Sequence, residues 1–171
     1  CLWADELVLV AANSTDKTVS IAQKVAGKKL VIRRTFDEYN KNFSRWRNLG
    51  WRASSGRWLL YVDADERVTS NLHRQINKII LSPIKSHKSY YAIPRQNHYL
   101  GKRVRFGGSY PDYVKRLFYR PDFSGFSGIL HEEPKVNGQM GYLAGHLRHF
   151  THRDLTSMLQ KTIAWTDVEA K

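Results

Sequence analysis

The first half of the chain alternates short apolar runs with segments of helical spacing. Glu6-Leu-Val-Leu-Val-Ala-Ala12 is short, branched and apolar throughout, the pattern of a strand buried on both faces. Asn13-Ser-Thr-Asp16 follows as a cluster of turn and cap residues. The spacing then predicts a helix over 16–26, with Val19, Ala22, Val25 and Ala26 on one face and Gly27 closing it. Leu30-Val-Ile32 predicts a second buried strand. Phe43, Trp46 and Ala53 have helical spacing within 40–53, ended by Gly56. Arg57-Trp-Leu-Leu-Tyr-Val62 predicts a third buried strand, running straight into Asp63-Ala-Asp65-Glu66. A helix over 70–81 carries Leu72, Ile76, Ile79 and Ile80, and Pro83 follows it.

Strand and helix in strict alternation is the βαβ signature, which predicts an α/β fold on a parallel sheet with right-handed crossovers. The pattern changes after residue 88. Tyr90-Tyr-Ala-Ile93 and Tyr113-Val-Lys-Arg-Leu-Phe-Tyr119 read as strands with no helix between them, so the second half is expected to be mixed or antiparallel. Thr151-His-Arg-Asp154 resembles a capping box, and it precedes a helical pattern of Leu155, Met158, Leu159, Thr162 and Ile163. The expected organisation is a single domain: a βαβ half over 1–82, a second half over 83–150 and a C-terminal helix over 151–171.

Composition narrows the function classes. The chain has 171 residues, 42% hydrophobic and 12% aromatic, enough for a folded core and against disorder. One cysteine, Cys1, permits no internal disulfide framework and suggests a reducing compartment. No apolar run approaches the roughly 18 residues of a membrane span. The formal net charge is +13, and it is unevenly spread: residues 71–120 hold 11 basic residues against one acidic residue, Asp112, a net of +10. An anionic partner is expected to meet that segment: nucleic acid, an acidic membrane surface or a phosphorylated substrate. Tyr90, Tyr91, Tyr99, Tyr110 and Tyr113 interleave there with Arg95, Lys102, Arg103, Arg105, Lys115 and Arg116. Such a pattern could stack single-stranded nucleic acid or hold a sugar flanked by phosphates.

The sharpest candidate chemistry is Asp63 with Asp65. They follow a buried strand, at the end where open α/β sheets bind ligands. In extended backbone, positions two apart share a side, so two hard carboxylates there could hold Mg²⁺ or Mn²⁺ and clamp a diphosphate. A plain acidic turn is the competing account. His131-Glu132-Glu133 could supply a general base, against the account of a surface turn before Pro134. His146, His149 and His152 lack the spacing and cysteines of a structural zinc site and read as ordinary histidines.

The ordered series of Asn13-Ser14-Thr15-Asp16, then Arg47-Asn48 with Ala53 and Gly56, then Asp63-Ala64-Asp65-Glu66 resembles the family 2 glycosyltransferases. Ala92-Ile-Pro-Arg-Gln-Asn97, Tyr99-Leu-Gly101, Gly107-Gly-Ser-Tyr-Pro-Asp112, Arg116-Leu-Phe118 and Phe126-Ser-Gly-Ile-Leu-His131-Glu132 look like the branch of bacterial lipopolysaccharide core β-1,4-glucosyltransferases. The resemblance implies a Rossmann-like, three-layer GT-A fold whose usual first strand and helix lie outside the chain. It implies a UDP-sugar donor, with glucose as the sugar, a divalent cation (Mg²⁺ or Mn²⁺) and inversion at the anomeric carbon. On that resemblance Asp65 is the principal metal ligand, and Asp63 sits near ribose and metal. Glu132 is the catalytic base, Arg47 or Arg116 assists the diphosphate, and Asp16 belongs to the donor site. Where family members tend to carry Asp after the preceding strand, this chain has Ala11, Ala12 and Asn13.

The expected acceptor is an anionic, lipid-linked oligosaccharide such as lipopolysaccharide inner core, met by peripheral contact at the cytoplasmic membrane face, with no specific nucleic acid as partner. The alternatives are a basic nucleic-acid-binding module and a degenerate, inactive glycosyltransferase-like domain.

Overall fold

The computed structural model describes residues 1–12, 14–35, 42–83, 86–106, 110–128, 132–151, 154–156, 158, 159 and 163. The expectations at Asn13, Gly107, Gly108, Leu130, His131 and His152, and most of the expected C-terminal helix, lie outside them. The chain divides into two compact units, each assembled from separate stretches. The first comprises Cys1–Leu60, Lys88–Tyr91 and Leu117–Gly141; the second comprises Tyr61–His87, Ala92–Arg116 and Tyr142–Lys171.

In the first unit β1 (Leu7–Ala12) and β2 (Leu30–Thr35) pair in parallel, Leu7 opposite Leu30 through Ala12 opposite Thr35. The crossover between them is α1 (Thr18–Ala26), as the alternation predicts. Val19, Ala22 and Ala26 are half-buried, but Val25 is 57% exposed and does not join their face. Gly27 follows with φ +55, a conformation that favours glycine. α2 (Phe43–Ala53) starts at Asn42, whose side chain accepts the Arg45 N–H at 2.9 Å. β3 (Trp58–Leu60) pairs antiparallel with residues 117–119. β8 (Phe123–Ser127) and β9 (Glu133–Val136) form an antiparallel pair. The aromatic core of this unit is Phe118, Phe123 and Phe126, with ring centroids 4.7–5.7 Å apart, joined by Trp51 of α2 at 5.5 Å from Phe123.

The second unit packs α3 (Ser70–Ile80) beside a mixed sheet. Thr69 caps α3 by accepting the Leu72 N–H, and Leu72 and Ile76 are buried as the spacing requires. Gly145 lies against the first turn of α3, where a Cβ would overlap the Leu72 backbone. The sheet order in this unit is β7 (Asp112–Tyr119, here residues 112–116), β5 (Tyr90–Tyr99, here 92–99), β11 (Leu147–Thr151) and β4 (Glu66–Val68). β6 (Lys102–Arg103) also pairs with β5 here, and β10 (Met140–Tyr142) is a further short strand. β11 is the organising strand: parallel to β5, with His149 opposite Asn97, and antiparallel to β4, with His149 opposite Glu66.

Three expectations need correction. The third strand of the alternation, β3, does not extend a parallel sheet but pairs antiparallel with residues 117–119. The run through 57–62 continues as a strand only to Leu60, and a separate strand, β4, begins at Glu66. Thr151 does not cap a helix from outside; it is the buried last residue of β11. Further along, Asp154 accepts a helical bond from the Met158 N–H at 3.1 Å. Among the described residues no helix is long and apolar enough to cross a membrane.

Candidate active site

Asp63 and Asp65 lie in a tight turn, not in extended backbone. The Asp63 carbonyl accepts the Glu66 N–H at 2.9 Å, with Ala64 and Asp65 at the corners. The simple two-residue alternation that would put both carboxylates on one side therefore does not apply. The cause is Glu66, buried to 2% exposure. Its Oε2 accepts the Asp63 N–H at 2.9 Å, folding the chain back so that β4 can pair with β11.

A buried carboxylate needs cationic partners, and the strands of this unit supply them. Arg116 of β7 donates from one terminal nitrogen to Glu66 Oε1 at 3.0 Å and to Asp63 Oδ2. Burial alone would lower the Arg116 pKa; the Asp63 and Glu66 charges outweigh it and raise the pKa above its ordinary value. Arg95 of β5 stands 3.7 Å from Glu66 and holds Asp112 Oδ2 through Nε at 2.9 Å and a terminal nitrogen at 2.7 Å. Asn97 donates its amide to the same Asp112 oxygen at 3.1 Å, so its carbonyl faces His149 Nδ1 at 2.8 Å. Nδ1 therefore carries the proton, and His149 Nε2 faces Asp65 Oδ2 at 3.4 Å. The contacts close a ring: Asp63, Arg116, Glu66, Arg95, Asp112, Asn97, His149 and back to Asp65. The turn is further tied by its own chain, because the Asp65 carbonyl accepts the Phe150 N–H at 2.8 Å.

In the first unit Glu132 stands just before β9, with its Oε1 held by Arg47 Nε of α2 at 2.8 Å. The Arg47 guanidinium also lies 5.7 Å from the Phe126 ring centre. Next to it, Asn48 clamps β8 at both backbone groups of Phe126: its Oδ1 accepts the N–H at 2.8 Å and its amide donates to the carbonyl at 2.9 Å. Gly125 makes this approach possible. Its φ is +106, and a Cβ there would sit 2.8 Å from Asn48 Oδ1.

Asp16 lines a cavity of about 390 Å³ with Ser14, Thr15, Gln23, Arg34 and Thr35. It lies at the C-terminal ends of the parallel strands β1 and β2, where α/β sheets place ligands. Asp16 Oδ1 accepts the Thr18 N–H at 3.0 Å, and hydrogen bonding from Thr18 lowers its pKa.

The candidates thus fall into two groups. Asp63, Asp65 and Arg116 share the polar ring of the second unit, while Arg47, Glu132 and Asp16 belong to the first. Sequence reasoning passed over Glu66, Arg95, Asn97, Asp112 and His149 as parts of the site, and Gln23 and Arg34 as cavity lining. The inward alternation of Leu147, His149 and Thr151 along β11 was the available signal for His149.

The sequence profile of Glycosyl transferase family 2 matches residues 4–150, and the chain belongs to that family. The fold is similar to that of S. aureus TarS 1-349 in complex with UDP-GlcNAc, at 16% identity and a TM-score of 0.62, over 90% of this chain and 51% of that one. It is also similar to TarS 1-349 in complex with UDP, at 15% identity and a TM-score of 0.59, over 85% and 51%. The Rossmann-like GT-A fold that the resemblance implies is the fold found. The chain spans about half the length of these solved structures.

Proposed function

We propose that this chain carries the donor and catalytic residues of an inverting glycosyltransferase. Sugar, with glucose favoured by the motif resemblance, passes from UDP to a hydroxyl of an anionic, lipid-linked oligosaccharide such as lipopolysaccharide inner core. The setting in this reading is peripheral, at the cytoplasmic membrane face. Family membership supports the chemistry, and the UDP-GlcNAc and UDP in the TarS structures support the donor class.

The observation that carries the reading is the locked Asp63–Glu66 turn. Asp63 Oδ2 is held by Arg116, and the cation is assigned to Asp65, the ligand that the motif resemblance implies. Its carboxylate oxygen faces a ring nitrogen of His149 that bears a lone pair when the ring is neutral, a donor pair suited to Mg²⁺ or, better, Mn²⁺. Among the described residues no three of His, Cys, Asp or Glu gather as a closed metal cage. An open site, completed by diphosphate oxygens and water, is what a metal that must meet substrate requires.

When bound, the cation supplies positive charge to the departing diphosphate. Glu132, oriented by Arg47, accepts the proton of the acceptor hydroxyl as that oxygen attacks C1 of the sugar. The C1–O bond to the β-phosphate breaks, and UDP leaves with the configuration at C1 inverted. Arg116 holds Asp63 and so fixes the turn that presents Asp65. The cavity holding Asp16, Gln23 and Arg34 is the proposed place for the nucleoside end of the donor.

The test is transfer and UDP binding in the whole protein. Asp65→Ala should abolish Mn²⁺-dependent UDP binding by calorimetry. Glu132→Gln should keep that binding and lose transfer by about 10²-fold or more. Full transfer activity in both variants would refute the assignment.

A further inference from the structure

The β5–β6 hairpin ends in a two-residue turn that is unusual in one respect. Leu100 and Gly101 both have positive φ, +50 and +78, the pattern of the turn that joins twisted strands most readily. Asn, Asp or Gly normally fills the first of these positions; a γ-branched leucine there is conformationally unfavourable. Its side chain does not recover that cost by packing, because Leu100 is 46% exposed. Strained residues of this kind concentrate where function requires the side chain.

The surroundings indicate what it meets. Lys102, Arg103 and Arg105 are all exposed on the returning strand and just past it, and Phe106 next to them is 85% exposed. The lone carboxylate of residues 71–120, Asp112, is already taken by Arg95 and Asn97. Arg103 lies 5.5 Å from the Tyr110 ring centre, while Lys102 and Arg105 make no ion pair among the described residues. Exposed apolar side chains set among unneutralised cations suit the headgroup boundary of an anionic bilayer. Stacked bases would be served by aromatic side chains, and an aliphatic leucine at a turn tip has no role there.

We propose that the β5–β6 hairpin is a membrane-docking element. Leu100 and Phe106 enter the acyl boundary of an anionic bilayer, and Lys102 and Arg105 bind its headgroups. The inference rests on the membrane-surface reading above and locates it on one hairpin, independently of the donor chemistry.

The test is co-sedimentation of the protein with phosphatidylcholine vesicles, with and without roughly one-third phosphatidylglycerol. The parent should bind the anionic vesicles and lose binding as salt rises. Leu100→Gly combined with Phe106→Ala should weaken partitioning about tenfold. Lys102→Gln with Arg105→Gln should weaken it by roughly thirtyfold at low salt. Leu100→Gly alone should melt at or above the parent, because glycine accepts the positive φ.

Equal partitioning of parent and hairpin variants would overturn the hairpin assignment while leaving peripheral binding intact. A parent that ignores anionic vesicles overturns both. A lower melting temperature for Leu100→Gly would mean that Leu100 serves the fold, against the proposal. Loss of random-oligonucleotide binding with vesicle binding retained would give the hairpin to nucleic acid. UDP calorimetry on the same variants separates these outcomes from failure of the transferase reading, since every hairpin variant should bind UDP as the parent does.

Discussion

Glu66→Gln isolates the group on which the acidic turn depends. In the parent, Glu66 accepts the Asp63 N–H with one oxygen and the Arg116 guanidinium with the other, with Arg95 a further 3.7 Å away. Glutamine keeps the shape but has one acceptor. Whichever way its amide turns, an N–H faces a donor, either the Asp63 backbone or Arg116. One charge-assisted hydrogen bond is lost, about 1.5–3 kcal/mol. In either orientation Arg116, itself buried, is left with Asp63 as its one charged hydrogen-bond partner in this cluster, so the total should approach the roughly 3–5 kcal/mol typical of breaking a buried pair. For a chain of this length each kcal/mol moves Tm by about 2–4 °C, so a fall of roughly 6–20 °C is expected. Thermal unfolding by circular dichroism measures it, with the exposed Glu133→Gln as a surface control expected within about 0.5 kcal/mol of the parent. A Glu66→Gln protein melting with the parent would mean that the turn does not depend on a charged Glu66, and the account of how Asp65 is presented would fail.

Other consequences are open to direct measurement. Gly125→Ala places a Cβ 2.8 Å from Asn48 Oδ1 at φ +106, and should cost about 2 kcal/mol or more in denaturant unfolding, with Asn48→Ala losing a similar amount through both Phe126 hydrogen bonds. His146 has its pKa lowered by burial and by Arg103, and its Nε2 shares a hydrogen bond with the Tyr110 hydroxyl at 2.6 Å. The unfolded chain then binds the proton more readily, so this histidine contributes stability that is present above the ordinary value of 6.5 and lost as pH falls through it. His146→Gln should lose less stability between neutral pH and pH 5 than the parent, and an equal loss would show that His146 takes no part in the acid sensitivity.

The alternation of Leu7–Ala12, 16–26 and Leu30 onwards carried the parallel β1–α1–β2 unit, because local periodicity marks its elements, although α1 starts at Thr18 with no side-chain cap at Lys17. The acidic turn was legible as two aspartates but not as a conformation. Its shape depends on the burial of Glu66, which Arg116 balances from some fifty residues away along the chain, and no local pattern announces such a partner. β4 and β10, of three residues each, and β8, with Gly125 inside it, are too short or interrupted to show a period. Val25 sits at helical spacing yet faces outward, since spacing alone does not say how wide the covered stripe of a helix is.

The polar ring also has a charge balance of its own. Asp63, Asp65, Glu66 and Asp112 stand against Arg95 and Arg116, a formal charge of −2 while His149 is neutral. In a chain of net +13 this is a local inversion of sign, enclosed by strands whose other charges are mostly basic. A lone diphosphate would be repelled there, whereas one dication would bring the ring to neutrality. Within this unit, the ring and the hairpin therefore carry opposite charge: net negative at the turn, net positive at the surface.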